Sequence, residues 1–196
     1  MRFKNLVEHI AALDSPKVTF RFLREKIDLH HAGVGKLKVW GVTYPVPNRQ
    51  AFYRLVGENR TSAYDEPFDE VEICYCLDLD NDVRDRRYAL TKELMHVFDS
   101  ENERVNTKEK FKQLLREIQN KPLLEHASPM YKADINTRWK AVIALCPKKF
   151  RNDYHAAYVT GKMEPYEISE KFMVPEWIVP FVMDDYYNVA YDSFMQ

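Results

Sequence analysis

The window of this 196-residue chain best equipped for chemistry is Lys92-Glu93-Leu94-Met95-His96, one substitution away from His-Glu-x-x-His. Two histidines four residues apart lie on one helix face and chelate zinc. The glutamate beside the first then acts as general base on the metal-bound water. Here Lys92 stands at the first ligand position. A protonated ammonium donates hydrogen bonds and has no lone pair for a metal at neutral pH. Glu93 keeps the position of the base and His96 that of the second ligand, and Asp99 follows within a turn. Lys92, Glu93, His96 and Asp99 are therefore the candidate cleft, with Glu93 as catalytic base if the site is active and His96 as metal ligand if a metal binds. Taken alone, five such residues also describe an ordinary solvated helix face.

Other ligand sets compete. His96, Asp99 and Glu103 fall at i, i+3 and i+7 and share a face if the helix runs that far, and Glu125 and His126 precede Asp134 in a loop. His30-His31 reads as a helix-end pair placed against the C-terminal dipole. Cys74 and Cys76 sit two apart on a strand, and no further ligand follows at zinc-site spacing. They read as small buried hydrophobes, and three cysteines in a chain of this length are not a disulfide framework.

The elements that must position these residues can be read around them. Leu90, Leu94, Val97 and Phe98 recur at helical spacing, and Val71 to Leu79 is the clearest strand, ended by Asp80-Asn81-Asp82. Phe3 to Leu13 reads as a first helix, and Ser15 as the cap of a second with Pro16 in its first turn. Leu37 to Val42 alternates as a strand. Asn48 reads as the cap of a helix through Phe52, Leu55 and Val56. Further helices are expected from Thr107, over residues 134–145 and 150–158 with Gly161 closing the latter, and over 166–172 and 175–183. The order is sheet-containing first and helical second, an α+β chain. The division is residues 1–160 as the main α+β domain and 161–196 as a C-terminal helical appendage with an aromatic tail.

The stretch from Arg86 to Asp99 resembles the active helix of the ImmA/IrrE family of zinc metallopeptidases, in which Arg-x-Phe-x-Leu-Ala-His-Glu-Leu-x-His follows a strand. Arg86, Tyr88, Leu90, Glu93, Leu94 and His96 occupy the corresponding positions. Trp139 to Pro147 is similar to the family's Phe-Ala-Ala-x-x-Leu-Met-Pro stretch, and Ile168 to Val179 to its closing pair of short helices. The resemblance covers residues 71–183. It implies a zincin-like fold, a small sheet packed on an active-site-type helix and followed by a helical C-terminal region. Active members have His where Lys92 stands and a third, carboxylate ligand before the Leu-Met-Pro stretch. Aligned on Pro147, that carboxylate falls on residues 136–138, which are Asn136, Thr137 and Arg138. Asp134 is displaced by two residues, about 200° around a helix. Of the three ligands only His96 survives. The sequence looks like a branch in which Lys-Glu-Leu-x-His is the normal form, with Lys92 pairing with Glu93 or another acid to hold the helix against the sheet without metal.

Charge sorts the partners. Lys and Arg number 29 against 30 Asp and Glu, a net −1, without the basic surplus of a nucleic-acid coat. Residues 162–185 carry two bases against six acids, a net −4, which weighs against reading the C-terminal helix pair as a DNA-binding helix-turn-helix. Residues 104–121 carry six bases against two acids, a net +4. No apolar run approaches the roughly 20 residues that span a bilayer, and charges break the N-terminus where a signal peptide needs an apolar stretch. A cytoplasmic location and a protein partner are expected, with neither membrane nor nucleic acid.

The leading reading is a degenerate ImmA/IrrE-like metallopeptidase fold, a pseudoenzyme without cofactor that acts in regulation or protein interaction, in a phage or mobile-element context that the resemblance implies. The second is an active zinc endopeptidase that cleaves a regulatory protein, with Glu93 as base and a rearranged site around His96. The third is a binding module unrelated to peptidases.

Overall fold

The computed structural model describes residues 1–43, 50–62, 64 and 66–196. Three strands form one mixed sheet: β1 (Lys38–Val42), β2 (Ala51–Asn59) and β3 (Phe68–Cys76). β3 lies centrally, parallel to β1 with Lys38 opposite Glu72 and antiparallel to β2 with Tyr53 opposite Ile73. Val71, Ile73, Cys74 and Cys76 of β3 are buried, because a central strand is covered on both faces. Both cysteines are buried free thiols, as expected of small hydrophobes.

The segment through Phe52, Leu55 and Val56, expected as a helix, lies instead in the edge strand β2. Its apolar residues at 52, 55 and 56 fit a helical template, but burial along it is shallow on both faces, so no periodicity was strong enough to decide. Asn48, the expected cap, lies outside the described residues. The second helix also starts later than its proline implies. α1 spans Phe3–Ala11, residues 14–16 form a bend, and α2 spans Phe20–His30 with Thr19 as its cap, its hydroxyl accepting from the Phe22 amide at 3.1 Å.

α3 (Val83–Leu94) begins at Asp82, whose carboxylate accepts from the amides of Arg84 and Asp85, and ends in a 3-10 turn, Met95–Phe98. It packs against β2, β3 and α5 (Pro129–Leu145). α4 (Lys108–Asn120) carries Thr107 as cap and touches α5. α6 (Lys148–Val159) ends at Gly161, whose φ of 66° is the left-handed conformation a helix stop favours. α7 (Pro165–Phe172) and α8 (Val179–Met183) are joined through a left-handed Met173 and a 3-10 turn at Glu176–Ile178, and α9 (Tyr186–Met195) carries the aromatic tail.

The fold is thus mixed α+β, as read from the sequence. One apolar core runs from Leu6 and Ile10 through Ile73, Leu94 and Ile143 to Phe172, Val182 and Tyr187, spanning residues on both sides of position 160. Arg87 ties its layers together. The guanidinium is buried and donates to the carbonyls of Val18, Phe172 and Met173, closing the C-terminus of α7 onto α3. Burial lowers its pKa to about 10. No helix among the described residues is long and apolar enough to cross a membrane.

Candidate functional site

α3 is amphipathic in an unusual sense, since its buried face is partly ionic. Tyr88, Leu90 and Leu94 are buried, and so are Thr91 and Glu93. Lys92 lies beside them. Its Nζ is 3.1 Å from Glu93 Oε1 and 2.5 Å from Asp134 Oδ1 on α5. Burial alone would lower the pKa of the ammonium, but the adjacent Glu93 and Asp134 charges outweigh it and raise its pKa above the ordinary lysine value. Asp134 moves the other way. Burial would raise its carboxyl, yet Lys92 and then Arg138, which donates to Asp134 Oδ2 at 3.0 Å, hold it below the usual carboxylate range.

The sequence expectation for Asp134 is therefore corrected. Anchoring the rotation of α5 at Pro147 turned this residue away from the site, whereas burial of Ala133, Thr137, Ala141 and Ala144 fixes the helix with Asp134 facing α3. Lys92 also holds a different element from the one expected. It bridges α3 to α5, and the link to the sheet is made by Glu93, whose Oε2 accepts from the Tyr53 amide of β2 at 2.9 Å. Both oxygens of Glu93 are thus engaged.

His96 stands in the 3-10 turn after α3. Its Nδ1 is 2.6 Å from Asp99 Oδ2, and its Nε2 is 3.8 Å from Glu93 Oε2. Asp99 orients the ring through Nδ1 and so sets Nε2 on the side of Glu93. The Tyr53 ring lies 5.6 Å from the imidazole. The other oxygen of Asp99, Oδ1, is buried without a hydrogen bond and faces Lys140 Nζ at 3.7 Å. All four candidate residues, Lys92, Glu93, His96 and Asp99, line one cavity of about 720 Å³.

The rival ligand sets do not assemble. Because α3 gives way to the 3-10 turn, Glu103 leaves the face of His96 and instead accepts from Ser100. Glu125 and His126 pair with each other at 3.3 Å in an exposed turn. His30 ends α2, and its ring stacks on His9. His31 caps that helix. Burial, followed by the nearby N-terminal amine, lowers its pKa.

The zinc that the family resemblance implies can be tested against these side chains. A zinc ion needs lone pairs from deprotonated ligands. At this site the ligand position is filled by an ammonium whose protons point at Glu93 and Asp134, so the two carboxylates are neutralised from within the protein. Among the described residues no group of three His, Cys, Asp or Glu side chains is placed to hold a metal. The residues present do not fit zinc while Lys92 is protonated.

Residues the sequence did not single out complete the cleft. Tyr53 supplies the amide that fixes Glu93, and Arg138, Trp139 and Val142 line the floor from α5. A signal for Arg138 was present, because it follows Asp134 by four residues on a helix. Nothing local marked Tyr53, whose role depends on strand pairing. Compared with family models, with curated proteins and with solved structures, the chain matches none.

Proposed function

We propose that this chain is a zincin-like protein of the ImmA/IrrE type that has exchanged its metal centre for an internal cation and works as a regulatory or protein-interaction module. The observation that carries the reading is the Lys92 bridge. An ammonium between Glu93 and Asp134 supplies, in a permanent form, the positive charge that a metal would bring between a helix and a facing carboxylate. The packing of α3 against a small sheet supports the zincin-like reading, as do the acid on α5 and the short helices that close the chain. Glu93, fixed by Lys92 and the Tyr53 amide, holds the edge of the sheet against α3 rather than activating water.

Metal content tests the proposal. The purified chain, dialysed against zinc and measured by elemental analysis, is expected to carry well under one equivalent, and zinc is not expected to raise its unfolding temperature. Zinc near one equivalent per chain, lost in His96→Ala, overturns the reading in favour of a metallopeptidase.

A further inference from the structure

The cavity over the Lys92 bridge is the floor of a longer groove. α5 forms its base with Ile135, Arg138, Trp139 and Val142, spaced i, i+3, i+4 and i+7 along one helical face. One wall is α4, which turns Leu114, Leu115 and Ile118 into the groove yet buries no residue fully. The other wall is the 3-10 turn and α8, with Trp177 and Phe181 each half exposed.

The rims carry opposite charge. On the body side of the α4 stripe, Lys110 bonds the Arg104 carbonyl at 3.1 Å and Glu117 accepts from the Ser128 amide at 3.0 Å. On its outer side Lys108, Lys112 and Arg116 form an i, i+4, i+8 row. All three are exposed, and none forms an ion pair among the described residues. The facing wall has no base between residues 176 and 185, and it exposes Glu176, Asp184 and Asp185.

We propose that this groove takes an amphipathic helix of a partner protein, with apolar anchors at i, i+3, i+4 and i+7, acids along one flank and bases along the other. Such a helix lays its anchors between α4 and α8 over α5, sets its acidic flank on the Lys108–Lys112–Arg116 row, and sets its basic flank on Glu176, Asp184 and Asp185. Helix-in-groove docking uses this anchor spacing, and complementary rims fix partner choice more than affinity. The inference rests on the interaction-module reading and names the partner's chemistry. A nucleic acid or an anionic surface fits less well, because the acidic rim repels it.

Three synthetic peptides test it. Each has about 14 residues, matching the roughly 20 Å run of α4, and all share one leucine face. One peptide carries Glu on one flank and Lys on the other, the second Glu on both flanks, the third Lys on both. Labelled peptides report affinity by anisotropy, and Trp139 and Trp177 fluorescence reports the site. The mixed peptide is expected to bind about tenfold tighter than either single-sign peptide, from three rim pairs each contributing the few-fold of an exposed ion pair. In the K108E/K112E/R116E variant, whose changes lie on the surface, preference is expected to pass to the Lys-only peptide.

Equal affinity for all three peptides, no binding up to about 1 mM, or an unchanged preference in the rim variant overturns the inference. So does self-association that the peptides compete away, which gives the groove to a second copy. If the peptides fail and the chain remains free of zinc, the groove inference falls alone. If zinc is bound through His96, the parent reading falls whatever the peptides do.

Discussion

Removing the internal cation should expose how much of the fold depends on it. In Lys92→Met, the side-chain volume is nearly kept and two buried carboxylates lose their shared partner. The lost attraction is large in gross terms. With an effective dielectric of about 20, unit charges at 3.1 Å and 2.5 Å, the separations from Glu93 and Asp134, attract by about 5 and about 7 kcal/mol. Desolvation of the three groups offsets most of this. Deleting one member of a buried pair still costs about 3–5 kcal/mol, because it leaves the others uncompensated. Asp134 keeps Arg138 and Glu93 keeps the Tyr53 amide, so the lower end applies, about 3 kcal/mol. Urea unfolding at pH 7 measures it as a fall in midpoint at unchanged slope. The triple variant Lys92→Met, Glu93→Gln, Asp134→Asn, which removes the ammonium together with both carboxylates and leaves only the half-exposed Arg138 without its partner, is expected within about 1 kcal/mol of the unmodified chain. A cost for Lys92→Met under about 1 kcal/mol, or a triple variant as unstable as the single one, would refute the argument.

Other perturbations follow from the same geometry. Because Asp134 titrates below its unfolded value, its contribution is complete above about pH 4 and is lost as pH falls through the lower folded value. Stability measured as pH is lowered below about 4 should therefore fall, with a slope that shrinks in Asp134→Asn. Lys92→His places a second imidazole opposite Asp134 and beside His96. That variant should take up zinc near one equivalent by elemental analysis, with an unfolding temperature that rises with zinc. Arg87→Met strips the carbonyls of Val18, Phe172 and Met173 of a charged donor, and a loss of about 3 kcal/mol is expected in urea. Lys121 caps α4 with a φ of 47°, so Lys121→Gly should stabilise the chain by about 1 kcal/mol in thermal unfolding.

Helices announced themselves wherever one face was deeply buried, as in α3 and α5. β2 did not, because an edge strand with shallow burial carries no clean alternation, and its aromatic residues fit a helical face as well as a pleated one. The pairing of Lys92 with Glu93 was legible from adjacency and charge. Asp134 was not, since the rotation of α5 follows from the small residues Ala133, Ala141 and Ala144 packing inward rather than from the distance to Pro147. The groove was half legible. Net charges of +4 and −4 on residues 104–121 and 162–185 were plain in the sequence, but only the fold sets those segments on opposite sides of α5.

The hydrogen bond from the Tyr53 amide to Glu93 also bears on how the chain keeps to itself. β2 is an outer strand of a three-stranded sheet, and unpaired amides on such a strand invite another chain to add alongside. Glu93 takes up one of those amides with a carboxylate that Lys92 holds in place. An incoming strand would have to displace a buried ion pair before it could dock at that register. Glu93 thus closes one position of the sheet edge to an added strand as well as tying the sheet to α3.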